Sequence, residues 1–344
     1  MRLKSDARAW GPTVAHGILR SSPEDFQVTE RLGREPDGDG EHLWLWVEKR
    51  ERNTVDVARD LARAAGVHPR LVSFAGLKDR QAITCQYFSI HLPGCDNPDW
   101  QRWSIQGVKI HSADRASRKI RRGTLEGNDF VLLIRDVQGE HEDIDSRLQI
   151  IAKNGVPNGF GPQRFGGNNI GRARALFAGQ MRRSPSRAKR GFYLSAARSF
   201  IFNQVLVRRI ADQSWNRLID GDVAMLDGSQ SFFIPDLADE ETQQRLDALD
   251  IHPSGPMVGL GAPPVFAQVR ALEDEIAERD PDLVEGLQRF QLQHQRRPLR
   301  MRVTNLTWEF PESDQLLLRF SLGQGSYATT VLRELIDLKE PTDR

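Results

Sequence analysis

Strand-like alternation fills the first third of this chain, vanishes in the middle and returns near the end, and few architectures accommodate that order. Residues 23 to 50 predict two strands. Phe26 and Val28 carry the first and His42-Leu43-Trp44-Leu45-Trp46-Val47 the second, with Pro36-Asp37-Gly38-Asp39-Gly40 as the turn between. A helix capped by Asn53 or Thr54 follows, with Val55, Ala58, Leu61, Ala62 and Ala65 on one face, Gly66 at its end and Pro69 beyond. Leu71-Val72-Ser73-Phe74 reads as a short strand, residues 76 to 81 as a loop and 82 to 90 as another strand; more strands are expected between 104 and 135. Near 154 the texture changes to a Gly- and Pro-rich stretch (155 to 167), a helical region that includes 195 to 210, and a loop-rich segment from 253 to 264. Strand character resumes after about Met301, at 307 to 310 and 316 to 322. Gly323-Gln324-Gly325-Ser326 then turns the chain into a helix expected from Tyr327 to Ile336, with Ser326 placed to cap it. Isolated strands need a sheet to join, so the late strands are expected to rejoin the early ones around an inserted segment. A length of 344 residues suits two domains.

The net charge of +1 conceals a segregation. Residues 151 to 210 hold twelve Lys or Arg and no acid, 211 to 288 hold four Arg against seventeen acids, and 289 to 302 hold five Arg and no acid. A further basic run is Arg115-Ala116-Ser117-Arg118-Lys119-Ile120-Arg121-Arg122. One such run is ordinarily a solvated face; sixty residues without a carboxylate point to a partner with a phosphate backbone, RNA or DNA.

Other classes are disfavoured. Cys85 and Cys95 are the two cysteines, with no CxxC pair, and the eight histidines show no HExxH spacing, so no metal is expected and a reducing cytoplasm fits. No run approaches the roughly 18 apolar residues of a membrane helix, and the opening Met1-Arg2-Leu3-Lys4-Ser5-Asp6 leads into no apolar stretch, so neither membrane nor secretory signal is expected. The Gly-rich stretch lacks the Gly-Lys-Ser/Thr of a phosphate loop and the GxGxxG of a dinucleotide site. It is as readily a turn between domains as an RNA contact through Gln163 and Arg164. Neither a zinc-deaminase pattern nor a Gly-x-Ser-x-Gly elbow occurs. These absences narrow the enzyme options toward chemistry that needs one carboxylate. Asp79 sits in a loop between apolar strands, flanked by Lys78 and Arg80, cations that favour its ionised, nucleophilic form. Taken alone, Lys-Asp-Arg in a turn is more often a surface charge cluster.

The segment Phe74-Ala75-Gly76-Leu77-Lys78-Asp79-Arg80-Gln81-Ala82-Ile83-Thr84 closely resembles the signature of the TruD family of tRNA pseudouridine synthases. Pro23-Glu24-Asp25-Phe26, Leu125-Glu126-Gly127-Asn128-Asp129-Phe130, residues 156 to 166, Leu194-Ser195-Ala196-Ala197-Arg198-Ser199 and Gly325-Ser326-Tyr327-Ala328-Thr329 resemble other family motifs, in family order across nearly the whole chain. Gly159 stands where the family often has an aromatic residue, and Tyr327 where some members have Phe. The resemblance implies isomerisation of uridine at position 13 of tRNA, no cofactor, and Asp79 as nucleophile. It also implies an α+β fold with a mixed, largely antiparallel sheet of the pseudouridine-synthase type. Residues 1–154 plus 302–344 would form the catalytic domain, and residues 155–301 a family-specific α/β insertion.

Such a reaction breaks the N-glycosidic bond, turns the uracil and rejoins it through carbon. The base must leave its stack, which calls for a replacement stacking surface. Phe26, Phe130 and Tyr327 are candidates, although Phe130 opens an apolar strand and suits a core. Asn128 is a candidate for hydrogen bonds to the uracil edge or ribose, and the resemblance places Phe26, Asn128 and Tyr327 in the substrate site. Lys78, Arg80 and Arg20 are alternative partners for the Asp79 carboxylate. The rival readings are a non-catalytic RNA-binding protein and another RNA-modifying enzyme such as a methyltransferase, for which no cofactor loop is found. No protein partner is implied, and a monomer is expected.

Overall fold

A computed structural model describes residues 7–339. Chain order begins β1 (Ala15–Leu19), β2 (Phe26–Arg31), β3 (His42–Arg50), α1 (Thr54–Ala64), β4 (Val72–Phe74), β5 (Ile83–His91), β6 (Val108–Ala116) and β7 (Gly127–Gln138). Next come α2 (His141–Asn154), β8 (Val156–Pro157), α3 (Pro162–Phe165), α4 (Asn169–Phe177) and α5 (Arg187–Ala211). β9 (Ala224–Leu226), β10 (Phe232–Phe233), α6 (Glu240–Asp247), β11 (Ile251–Met257), α7 (Ala267–Ala277) and α8 (Pro281–Arg289) follow. The chain closes with β12 (Gln295–Pro298), β13 (Arg300–Met301), β14 (Thr304–Glu309), β15 (Leu316–Gly323), α9 (Ala328–Arg333) and β16 (Ile336–Lys339).

These elements form two compact units. One comprises Val14–Ile144, Val303–Ser326 and the described residues from Ile336 onward. Its sheet runs β14-β15-β7-β2-β5-β3-β6, with β1 joining β7 and β16, and β4 joining β5. β2–β5 and β1–β16 are parallel and the other pairs antiparallel, so the sheet is mixed and largely antiparallel, as expected. The late strands do join the early ones: β15 pairs with β7 from Leu316↔Ile134 to Gly323↔Gly127. Alternation places Leu43, Leu45 and Val47 of β3 and Phe88 and Ile90 of β5 against α1, forming a buried cluster. The helix meets it with Val57, Ala58, Leu61 and Ala62. Val55, expected on that face, is 40% exposed. Thr54 turns inward instead, because its hydroxyl serves the loop described below, and this rotates the buried stripe.

The other unit comprises the described residues up to Thr13, Asp145–Arg302 and Tyr327–Leu335. Helices α4, α5, α7 and α8 enclose one core cluster with Ala173, Ile201, Val205, Ile276, Leu283 and Leu287. A small antiparallel sheet, β10-β9-β11-β12, and the β8–β13 pair complete it. The loop expected at 253 to 264 is in its first part strand β11, central in that sheet. Gly255 lets the strand lie close to its neighbours: a Cβ there would be 2.8 Å from Leu299 Cδ2 and 3.0 Å from Phe202 Cε2. Burial therefore overrides the local proline and glycine signals.

A simple insertion would pass between units twice; this chain changes unit at 13, 144, 302, 326 and 335. Glu334 explains two of the extra crossings. Its carboxylate accepts the backbone N–H groups of Ala9 (2.9 Å) and Trp10 (3.2 Å), joining the described residues up to Thr13 to Tyr327–Leu335 within this unit. The expected helix of 327 to 336 is shortened accordingly. Tyr327 is the extended N-cap residue, the helix stops at Arg333, and Ile336 opens β16 alongside Ala15.

Gly127 of β7 tests the close packing of the large sheet. A Cβ there would lie 2.2 Å from the backbone oxygen of Leu322, which has no room to yield. Gly127→Ala is expected to destabilise the fold by about 1–3 kcal/mol in urea unfolding; an unchanged midpoint would show that the strands do not approach so closely.

Candidate active site

The loop between β4 and β5 has no regular structure, so its polar backbone groups need partners from elsewhere. Gln86 of β5 donates from Nε2 to the Gly76 carbonyl (3.1 Å). Thr54, the first residue of α1, accepts the Lys78 N–H (3.0 Å) and donates to Gln86 Oε1 (3.2 Å). Lys49 of β3 donates from Nζ to the Asp79 carbonyl (2.6 Å). The Lys78 ammonium pairs with Glu30 Oε2 of β2 at 2.6 Å, the two side chains only 5% and 0% exposed. Three strands and a helix thus set the path of residues 76 to 79.

Asp79 leaves this frame pointing outward, its side chain 45% exposed. Among the three cations considered as its partner, Arg20 makes the contact, Nη2 to Oδ2 at 2.8 Å. Lys78 is engaged by Glu30, and Arg80 is exposed in the loop. Arg20 follows β1 with φ +67, a left-handed conformation uncommon outside glycine. Its guanidinium carbon lies 4.0 Å from the Phe26 ring centre. Phe26 meets Phe130 edge-on at 6.4 Å, and Phe130 stacks on Phe320 at 5.3 Å. Phe26 and Phe130 were expected as stacking surfaces for a base. They are 1% and 7% exposed, because both point inward from β2 and β7, and Arg20 covers the first. Phe26 lies under the guanidinium that contacts Asp79, and Phe130 lies behind Phe26.

Asn128 of β7 stands between Glu30 of β2 and Leu322 of β15. Its Oδ1 and Glu30 Oε1 are buried acceptors with no hydrogen-bond partner among the described residues. Buried acceptors are ordinarily satisfied, so this pair is suited to an incoming N–H or O–H. Tyr327 belongs to the other unit, where its hydroxyl accepts from Arg164 Nη2 at 3.0 Å; Arg164 also donates to Ser195 Oγ at 3.1 Å.

Lys49, Thr54, Glu30 and Gln86 were not singled out from the sequence, yet a signal existed. Leu43, Leu45, Val47 and Lys49 share one parity in β3, and Gln86, Phe88 and Ile90 share one in β5. A polar residue on the apolar beat of a strand marks a buried task. On the opposite face, Glu48, Cys85 and His111 bring ligand-type atoms within 4.8 Å of one another, a cross-strand grouping that no linear spacing reveals. Burial pushes the Cys85 thiol up to about 11, keeping it protonated, and His111 Nε2 already lies 3.1 Å from Glu48 Oε2.

A family model described as tRNA pseudouridine synthase D (TruD) matches residues 6–181 and 182–335. This chain belongs to the TruD family. Among curated TruD proteins, the tRNA pseudouridine synthase D of Pseudomonas syringae pv. tomato is 47% identical over 333 residues, covering 96% of this chain and 94% of its own length. The protein of the same name from Methylococcus capsulatus is 45% identical over 332 residues, with the same coverage. A crystal structure described as the putative tRNA pseudouridine synthase D of Methanosarcina mazei superposes with a TM-score of 0.73 over 95% of each chain. At 24% identity that likeness bears on the fold, which this chain shares with it. No helix of the described residues is long and apolar enough to cross a membrane.

Two stability predictions follow from the TruD-family loop. Lys78→Met leaves the Glu30 carboxylate buried without its cation and is expected to cost about 3–5 kcal/mol in chemical denaturation. Replacing both by Met should recover most of that loss; equal destabilisation of single and double variants would contradict a buried pair. Burial, reinforced by Lys78 and opposed by Asp79, pulls the Lys49 ammonium from 10.5 down to about 8. The unfolded chain therefore holds that proton more tightly. The resulting penalty is full below about pH 8 and gone above about 10.5, so over this window the wild type should gain stability relative to Lys49→Met. A difference that stays flat with pH would mean an ordinary lysine.

Proposed function

We propose that this TruD-family chain isomerises uridine to pseudouridine in tRNA, at position 13, with Asp79 as the nucleophile. One observation carries the assignment of the residue. Asp79 is an accessible carboxylate at the tip of a loop whose backbone is pinned by Gln86, Thr54 and Lys49, with Arg20 on its oxygen. Such a group is aimed before substrate arrives, which favours attack at carbon. In the overall reaction the bond from ribose to the uracil nitrogen breaks and one from ribose to a ring carbon forms; that carbon gives up its proton and the freed nitrogen takes one, so the atoms balance. Nothing is oxidised or reduced, so no electron donor or acceptor enters the balance.

The unpaired Asn128 Oδ1 supports a role in holding the flipped base or its ribose. Phe26 acts through Arg20, and Phe130 backs Phe26. Tyr327 remains a substrate-contacting candidate on the strength of its motif, and Lys78 orients the loop by way of Glu30. The unit that carries the large sheet is proposed as the catalytic domain, expected as 1–154 plus 302–344, and the other as the family-specific insertion, expected as 155–301. In the latter, Arg172, Arg182, Arg183, Arg187, Lys189 and Arg190 are exposed and suited to phosphate contacts.

The test is incubation with unmodified tRNA and chemical mapping of pseudouridine. Wild type is expected to modify position 13, while Asp79→Asn, nearly the same size, should lose at least about 10³-fold in turnover with tRNA affinity little changed. Wild-type turnover by a folded Asp79→Asn protein overturns the nucleophile. Modification elsewhere corrects the position alone, and binding without any modification returns the chain to the RNA-binding reading.

A further inference from the structure

Lys49 is fully buried, at 0% exposure, at the end of an apolar row. Its same-face neighbours on β3, Val47, Leu45 and Leu43, pack beneath α1, and its cross-strand partner on β5 is Thr84. Lysine is almost never fully buried unless paired, because stripping an ammonium of water is costly. A leucine or methionine would suit this position better if packing were its only task. The hydrogen bond made by Lys49 Nζ goes to the peptide oxygen of Asp79, at 2.6 Å. The Asp79 carboxylate itself is bound by Arg20, Nη2 to Oδ2 at 2.8 Å.

We infer that Lys49 is a positioning residue for the isomerisation, clamping the Asp79 peptide so that the carboxylate stands at the reacting atom. The inference rests on the reading of Asp79 as nucleophile. Lys49 touches no substrate; it acts through the peptide that carries the carboxylate. The arrangement divides labour. Arg20 sets the side chain from outside, Lys49 sets the main chain from beneath, and Lys78 with Glu30 locks the preceding residue. The downward displacement of the Lys49 ammonium by burial agrees with a cation kept in place at a cost to stability. A misplacement of about 1 Å at a reacting group can lower the rate about 10²-fold, so a clamp on one peptide is worth that cost.

The test uses the full-length enzyme and single-site turnover on unmodified tRNA. Lys49→Met keeps the stem and removes both charge and donor; Lys49→Gln keeps an amide donor. The expected result is kcat falling in the order wild type, Lys49→Gln, Lys49→Met, by about 10- to 100-fold overall. KM should stay within about twofold and the melting temperature should not fall, because affinity for tRNA and packing are untouched. A merely structural lysine predicts the opposite: lowered melting temperature with kcat of the folded fraction unchanged. Wild-type kcat in Lys49→Met overturns the inference, as does unfolding of both variants. If Lys49→Met alone fails to fold, Lys49→Gln decides by the same split between kcat and KM. Wild-type protein in the same assay separates this outcome from a failure of the functional reading: if it makes no pseudouridine, the assignment of function is at fault.

Discussion

The buried pair of Lys78 and Glu30 is the contact on which the candidate site depends. Lys78 immediately precedes Asp79, and Glu30 lies in β2, between β5 and β7 in the sheet. The pair therefore ties an irregular loop to the middle of the molecule's largest regular structure. An ion pair shielded from water is costly to form and costlier to break, since the survivor is left charged and unpaired. That asymmetry gives the loop one path. Once the path is set, the remaining polar groups fall within reach of Gln86, Thr54 and Lys49, and Asp79 projects where Arg20 meets it. The candidate site is preorganised: its groups are held by elements of one sheet and the helix packed on it.

The charge segregation along the chain takes on a different meaning in the fold. Three of the twelve cations in the acid-free segment from 151 to 210 are answered by the acidic segment that follows. Arg174 pairs with Asp280 and Asp282, Arg208 with Asp212 and Glu275, and Arg209 with Asp222 at 2.8 Å. Arg296, from the second acid-free run, pairs with Glu273. Arg209 is 1% exposed, and its guanidinium also serves the carbonyls of Ser214 and Arg217, so it is a structural group. A basic surface survives in a smaller region, with exposed Arg182, Arg183, Arg187, Lys189 and Arg190 around the start of α5. Counting charges along a chain overstates the free cations, because folding brings opposite runs together.

Much of the architecture was legible in the sequence by itself: the strand-loop-strand unit around Asp79, the helix after Asn53, the return of strands after 301 and their union with the early ones. Period-two alternation and turn residues are local properties, and they carry this information without reference to distant parts of the chain. Family membership was legible for a related reason, since its motifs are short and ordered. Tertiary structure alone decided which of Arg20, Lys78 and Arg80 holds Asp79, that β11 is a strand in spite of two prolines and a glycine, and that Arg164 donates to both Tyr327 and Ser195. It also placed the Arg20 guanidinium over the Phe26 ring and made Lys49 part of the loop's foundation. Each of these depends on which distant side chains share a burial site. Pairing across a sheet and competition for a single partner are set by register and packing, quantities that exist only once the chain has folded.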